Sequence, residues 1–204
     1  MTCKKWTDFL PFLPQKGVDE TLYKRFKSKA EELTVTVVRA ASSEEAAGMI
    51  MGEIKKLKVQ KVAAAPLTSV NPKELENYAR SANLDFSLEL NKDKIEQADM
   101  GISEFELGIA DLGSIFQDAS GLHRRLVSML PPVHLALVPT AAIVESFAQA
   151  LEAIEKVYDG RIPPYLSFIT GPSKTADIER ELTIGVHGPE KLIVICIDSI
   201  NKKS

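Results

Sequence analysis

The chain has 204 residues but only two cysteines, three histidines and one tryptophan. Two thiols, Cys3 and Cys196, fall short of the four thiolates that an iron–sulfur cluster normally takes from one chain. Cys196 lies inside the apolar run LIVICI and reads as a small buried hydrophobe. His123, His134 and His187 stand at no metal-binding spacing, and neither HExxH nor a Cys/His cluster accompanies them. No apolar run approaches the roughly 18 residues that a membrane-spanning helix needs. The opening MTCKKWTDFLPFLP also lacks the apolar stretch of a signal peptide. The expectation is a cytoplasmic protein without membrane insertion. Positive charge is not in excess either: 25 Lys and Arg against 28 Asp and Glu give a net charge of -3 and a pI near 5.7. That balance removes the basic footprint by which nucleic acid is bound. No GxxxxGK[ST], GxGxxG or GxSxG pattern occurs, which excludes the common phosphate cradles and the nucleophile elbow.

What is present is an alternation of strand-like and helix-like segments, of a length that fits one domain. Residues 1–33 read as an N-terminal arm and helix, and residues 34–204 as an α/β domain. In the arm, Trp6, Phe9, Leu10, Phe12 and Leu13 lie among Pro11 and Pro14, which exclude a regular helix after Leu10. Its apolar side chains need cover, either from the chain's own sheet or from another subunit. Leu22, Phe26, Ala30 and Leu33 keep helical spacing. TVTVVRA is a strand, Ser42 with Glu45 opens a helix, and KVAAAP is a second strand. Asn71, Pro72 and Glu74 start a helix that ends near Ser81, and Leu84, Phe86 and Leu88 alternate as in an edge strand.

Asp111-Leu112-Gly113-Ser114 has the chemistry of a tight turn between two short strands. GLHRRLVSML is a helix on which His123, Arg124 and Arg125 form either a solvated basic face or an anion clamp. VHLALVP is a buried strand, after which Thr140 is placed to cap a helix with its stripe at Ile143, Phe147, Leu151 and Ile154. Together these indicate an open, mainly parallel sheet flanked by helices.

The stretch from Pro164 to Asp198 reads as strand, helix and strand, and such a unit implies a parallel pair with a crossover. The Gly171-Pro172-Ser173 turn then lies at a strand's carboxyl end, where open α/β sheets bind ligands. Ser173 or Thr175 caps the expected helix, and Asp177 and Glu179 fall in its first turn, either to stabilise it or to contact a ligand. His187 and Gly188 sit in a glycine-flanked turn that permits close backbone approach. The candidate ligand-binding residues are thus Gly113, Ser114, Gly171, Ser173, Thr175, Asp177, His187 and Gly188. Asp111 is the candidate catalytic carboxylate.

The string ITGPSKTADIERELTIGVHGP resembles the signature of the lactate utilisation protein C family, the LUD-domain proteins, in which GPS-x-TADIE is followed by GVHGP. The resemblance extends to LPPVHLALVP and, more loosely, to GIADLGS. It implies a fold of the NagB/RpiA/CoA-transferase class. It also implies a subunit of a system that oxidises L-lactate to pyruvate, with the iron–sulfur clusters carried by partner subunits and none held by this chain alone. The role would be assembly, or binding of a small carboxylate or cofactor, in a chain whose oligomeric state stays open. The family's turn carries a glutamate followed by Thr-Gly-Thr, whereas this chain has Asp111, Leu112, Gly113 and Ser114. Two other readings remain: a stand-alone isomerase or CoA-transferase-type enzyme using Asp111, and a ligand-sensing module without chemistry.

Overall fold

The computed structural model describes residues 4–176, 182–184 and 188–200. The arm forms helix α1 (Trp6–Phe9) and one 3₁₀ turn, Leu10–Phe12, where Pro11 stops regular helix. Helix α2 (Glu20–Glu32) starts at Asp19, whose carboxylate accepts from the N–H groups of Thr21 and Leu22. Strand β1 (Thr36–Ser42) leads into α3 (Ser43–Lys56), where the Ser42 hydroxyl accepts from the Glu45 N–H. The Glu45 carboxylate in turn accepts from the Ala41 N–H at 2.7 Å. There follow β2 (Lys61–Ala64), α4 (Pro72–Ser81) capped by Asn71, β3 (Asp85–Ser87), α5 (Lys92–Glu96) and β4 (Met100–Glu104). Next come β5 (Leu107–Ile109), β6 (Ser114–Asp118), α6 (Leu122–Met129), β7 (Val133–Pro139) and β8 (Ile143–Val144). The chain closes with α7 (Phe147–Val157), β9 (Leu166–Ile169), β10 (Lys174–Ala176), β11 (Leu182–Ile184) and β12 (Lys191–Ser199).

A six-stranded sheet of order β1-β12-β7-β4-β2-β3 is parallel throughout. Its central strands β7 and β12 are apolar on both faces because both faces are covered, and the alternating β3 lies at the edge. On one face Ile50, Ile54 and Leu75 from α3 and α4 pack against Ile102, Leu135 and Ile195. On the other, Phe26 and Ala30 of α2 meet Val138, Val194 and Cys196. Burial pushes the Cys196 thiol up to about 12, as suits a side chain used for packing. A four-stranded sheet, β8-β5-β6-β9, carries a third core in which Leu107, Phe116, Ile154 and Tyr158 surround the fully buried Phe9 of the arm. Phe9 meets Phe116 and Tyr158 edge-on at 5.9 and 6.3 Å, so the arm is covered by its own chain.

Three expectations are corrected. Among the described residues no helix follows Gly171: β10 and β11 pair antiparallel, with Thr175 opposite Thr183, so Thr175 is a strand residue and not the start of a helix. The β-branched Thr175, Thr183 and Ile184 suit a pleated pair, and pairing overrides the local capping pattern. Strands β9 and β12 are not a parallel pair in one sheet, because β9 runs antiparallel to β6 in the small sheet. The continuous apolar run of β12 needs cover on both faces, whereas the half-buried β9 settles at an edge. Helix α7 starts at the Ser146 cap and not at Thr140, since Ile143–Val144 form β8 alongside β5.

Candidate functional site

Ligands of open α/β sheets bind outside the carboxyl ends of the strands. There the structure has a cavity of about 510 Å³. It is walled by Ser43 and Glu44 after β1, the loop 67–70 after β2, the Asn71 start of α4, Ile200 after β12, and Lys5, Trp6 and Thr7 of the arm. The volume falls in the range of roughly 300–1,000 Å³ typical of small-molecule and cofactor sites. Two helices, α3 and α4, begin at its wall, so their first N–H groups and dipoles favour negative charge there. Lys5 adds a cation, and Ser43 and Ser69 add hydroxyls, against the carboxylates of Glu44 and Glu74. Lys5 and the two helix starts favour an anionic group, and Glu44 and Glu74 oppose a highly charged one.

The cavity loop is held by Glu104, the last residue of β4. Its carboxylate accepts from the N–H groups of Thr68 and Ser69 and, at 2.8 Å, from the Thr68 hydroxyl. The Glu104 carbonyl accepts from Gln117 Nε2 at 2.9 Å and from the Arg124 guanidinium. Arg124 also reaches Glu106 Oε1 at 2.6 Å, and Glu106 Oε2 accepts from the Asp118 N–H at 2.8 Å. Asp118 in turn accepts from the Tyr158 hydroxyl at 2.7 Å and the Ser120 N–H at 2.9 Å. Burial pushes the Glu106 carboxyl up to about 7, although Arg124 pulls it down. Burial acts on Asp118 in the same sense, but hydrogen bonds from Tyr158, Ser120 and Lys4 outweigh it and leave Asp118 below the usual carboxylate range. The basic cluster on α6 is therefore no solvated face: Arg124 turns inward, and Arg125 stacks 4.0 Å from the ring centre of Tyr165. Its inward turn answers a buried acid 18 residues away in sequence.

Glu104→Ala leaves the N–H groups of Thr68 and Ser69 without their acceptor. A loss of about 1–3 kcal/mol in urea unfolding is expected, together with weaker binding of any ligand in the cavity.

The sequence-chosen residues lie elsewhere and group with one another. Asp111 through Ser114 turn from β5 to β6, with the Asp111 N–H bonded to the Glu145 carbonyl at 3.0 Å. Asp111 Oδ1 is buried, with no hydrogen-bond partner among the described residues. Gly113 has φ +62°, and a Cβ there would lie 2.7 Å from Ala30 Cα, so the turn is wedged against the end of α2. The Ser114 hydroxyl stands 2.7 Å from that of Thr170, which joins this turn to the Gly171 loop. The Ser173 N–H donates to the Pro189 carbonyl at 2.9 Å and so brings the GPS and HGP segments together. Gly171, Ser173 and Gly188 then line a second hollow of about 290 Å³, beside the amino ends of β7 and β12. The Gly171 turn does end a strand, but one of the small sheet, and it does not reach the large cavity. Asp177 and His187 lie outside the described residues. The cavity residues that sequence reasoning passed over had a signal, the LTSVNP loop following a small-residue strand.

A parallel α/β sheet with a ligand-sized crevice at its carboxyl edge defines the class of protein. The model of the LUD domain family matches residues 23–197, and the chain belongs to that family. It is 39% identical over 110 residues to the lactate utilization protein C of Bacillus licheniformis and 40% identical over 111 residues to that of Bacillus subtilis. Each match covers 53% of this chain and 46% of the relative, so the chain spans about half the length of the curated relatives it matches. A crystal structure of a DUF162 family protein from Deinococcus radiodurans shares the fold. Its TM-score is 0.60 at 20% identity, over 87% of this chain and 96% of that one. Among the described residues no helix is long and apolar enough to cross a membrane, and no group of three His, Cys, Asp or Glu could hold a metal ion.

Proposed function

We propose that this chain serves L-lactate utilisation as a cytoplasmic, ligand-binding subunit, with iron–sulfur clusters carried by separate partner subunits. The observation that carries the reading is membership of the LUD family together with relatives named lactate utilization protein C. The carboxyl-end cavity supports the binding role. Lys5, the Ser69 hydroxyl and the starts of α3 and α4 are the donors that would hold a carboxylate, and the volume also admits the rest of a cofactor. Asp111 is not among the residues that line the crevice, and in this reading the ligand is assigned to the crevice.

The test is genetic and biochemical together. Deleting the gene in its source organism should abolish growth on L-lactate and leave growth on pyruvate unchanged. The intact chain should restore growth and co-purify with iron–sulfur proteins, and Lys5→Glu should restore little. Undiminished growth of the deletion strain on L-lactate would overturn the reading.

A further inference from the structure

The crevice wall is not uniformly polar, and its apolar part selects among ligands. Leu67 and Val70 are buried and belong to the core beneath the crevice, and the half-buried Ile200 packs against that same core. To this floor the arm adds Trp6, the single tryptophan of the chain. Phe9, Leu10 and Leu13 of the arm pack into the third core, where Phe9 meets Phe116 and Tyr158 edge-on. Trp6, one helical turn earlier, is left half-buried on the crevice wall. Its position is held at both ends of α1: Phe9 anchors the helix, and the Asp8 carboxylate accepts from the Lys5 N–H at 2.9 Å. An indole fixed in advance leaves little ordering to be done when a ligand arrives.

The chemistry of this wall decides what covers it. A three-carbon hydroxy acid has one methyl group to set against it and would leave both indole and floor in water. A planar ring covers the wall and also stacks offset on the indole, which an aliphatic chain of equal area does not. Lys5, the neighbour of Trp6, and the starts of α3 and α4 favour an anionic end. The cavity of about 510 Å³ admits ring and anion in one molecule.

Resting on the assignment of the ligand to the crevice, we infer that this ligand is an anion carrying a planar heteroaromatic ring, a cofactor and not lactate itself, with the ring stacked on Trp6 over the floor of Leu67, Val70 and Ile200. Trp6 is then the residue that sets the class of ligand. Mononucleotides and pyridine carboxylates share this chemistry, and the choice of probes separates them.

With one tryptophan in the chain, indole fluorescence reports on Trp6 alone. The intact protein, excited at the red edge of indole absorption, is titrated with two probe pairs. Adenosine monophosphate is set against ribose 5-phosphate, which lacks only the base, and nicotinate against lactate. At least one ring anion should quench Trp6 saturably, and its ring-free partner should need about tenfold higher concentration or more, the factor that stacking a base on an aromatic side chain supplies. A response to adenosine monophosphate alone marks a nucleotide site, and one to nicotinate alone a site for an aromatic acid. By titration calorimetry Trp6→Leu should weaken that binding about tenfold, whereas Trp6→Phe, which keeps a ring, should retain most of it. If Trp6→Leu does not fold, quenching of the parent together with binding by Trp6→Phe decides. Ring-free acids that bind as tightly as the ring anions overturn the inference and leave the carboxylate reading of the crevice intact. Unchanged ring binding in folded Trp6→Leu, or no saturable quenching by either ring anion, overturns it as well. Quenching by a ring anion, in a protein whose deletion strain still grows on L-lactate, would refute the lactate role while the ligand class stands.

Discussion

Gly101→Ala is expected to destabilise the protein by about 3 kcal/mol, the upper end of what overpacking costs. The residue lies in β4 directly beneath α6, and a Cβ there would overlap the Val127 carbonyl oxygen and stand 3.2 Å from its carbonyl carbon. Both atoms are backbone, so no rotamer change relieves the clash, and α6 has to lift off the sheet. Because α6 carries Arg124, the Glu104 carbonyl and the cavity loop should loosen with it. Gly48→Ala and Gly52→Ala in α3 are the controls. A Cβ at either meets nothing within 4 Å, and alanine in a helix should be stabilising by roughly 0.5–1 kcal/mol. Urea unfolding of the three variants checks this, and a Gly101→Ala midpoint equal to that of the controls would refute the close approach.

Arg124→Met should cost about 3–5 kcal/mol near pH 8, because it strands a buried carboxylate. The Glu106 side chain is 3% exposed and Arg124 is its ion-pair partner. The effect depends on pH in a definite direction. The folded-state pKa of Glu106, about 7, stands above the ordinary carboxyl value of 4.5. A raised carboxyl contributes stability that is fully present below about pH 4.5 and is lost as the pH rises through about 7. Without the guanidinium the folded pKa climbs further, and the window of loss extends upward. Arg124→Met and the parent should therefore differ little at pH 5 and most at pH 8. The double variant Arg124→Met, Glu106→Leu removes both charges and should recover most of the stability at pH 8. A double variant no better than the single one would assign the loss to packing alone.

Much of this architecture was legible because local signals and long-range structure agree. The Ser42 and Glu45 pair and the Asn71, Pro72 and Glu74 group mark true helix starts, since caps act within one turn. The turn at Asp111 to Ser114 was legible for a related reason, as Gly113 supplies the positive φ that such a turn needs. Sheet membership was not legible. Whether β9 joins β12 or β6 depends on which neighbour completes its cover, and β6 lies about 50 residues upstream. Likewise Arg124 looks like surface until Glu106 is placed beneath it. Of the candidate residues, Gly171, Ser173 and Gly188 gather around one hollow, a meeting that was not legible because it depends on the long-range bond from the Ser173 N–H to the Pro189 carbonyl. The carboxyl-end cavity was not visible because it is assembled from the arm and the ends of three strands, none carrying a motif of its own.

Phe105 and Glu106 are the only residues between β4 and β5. The Phe105 N–H bonds to Leu137 of the large sheet, and the next N–H, that of Glu106, bonds to Phe116 of the small one. A single peptide link thus steps from one sheet to the other with no slack. The short joint ties the small sheet to the end of β4, where Glu104 fixes the wall of the crevice. The small sheet and the crevice wall thus share one covalent anchor, two residues long.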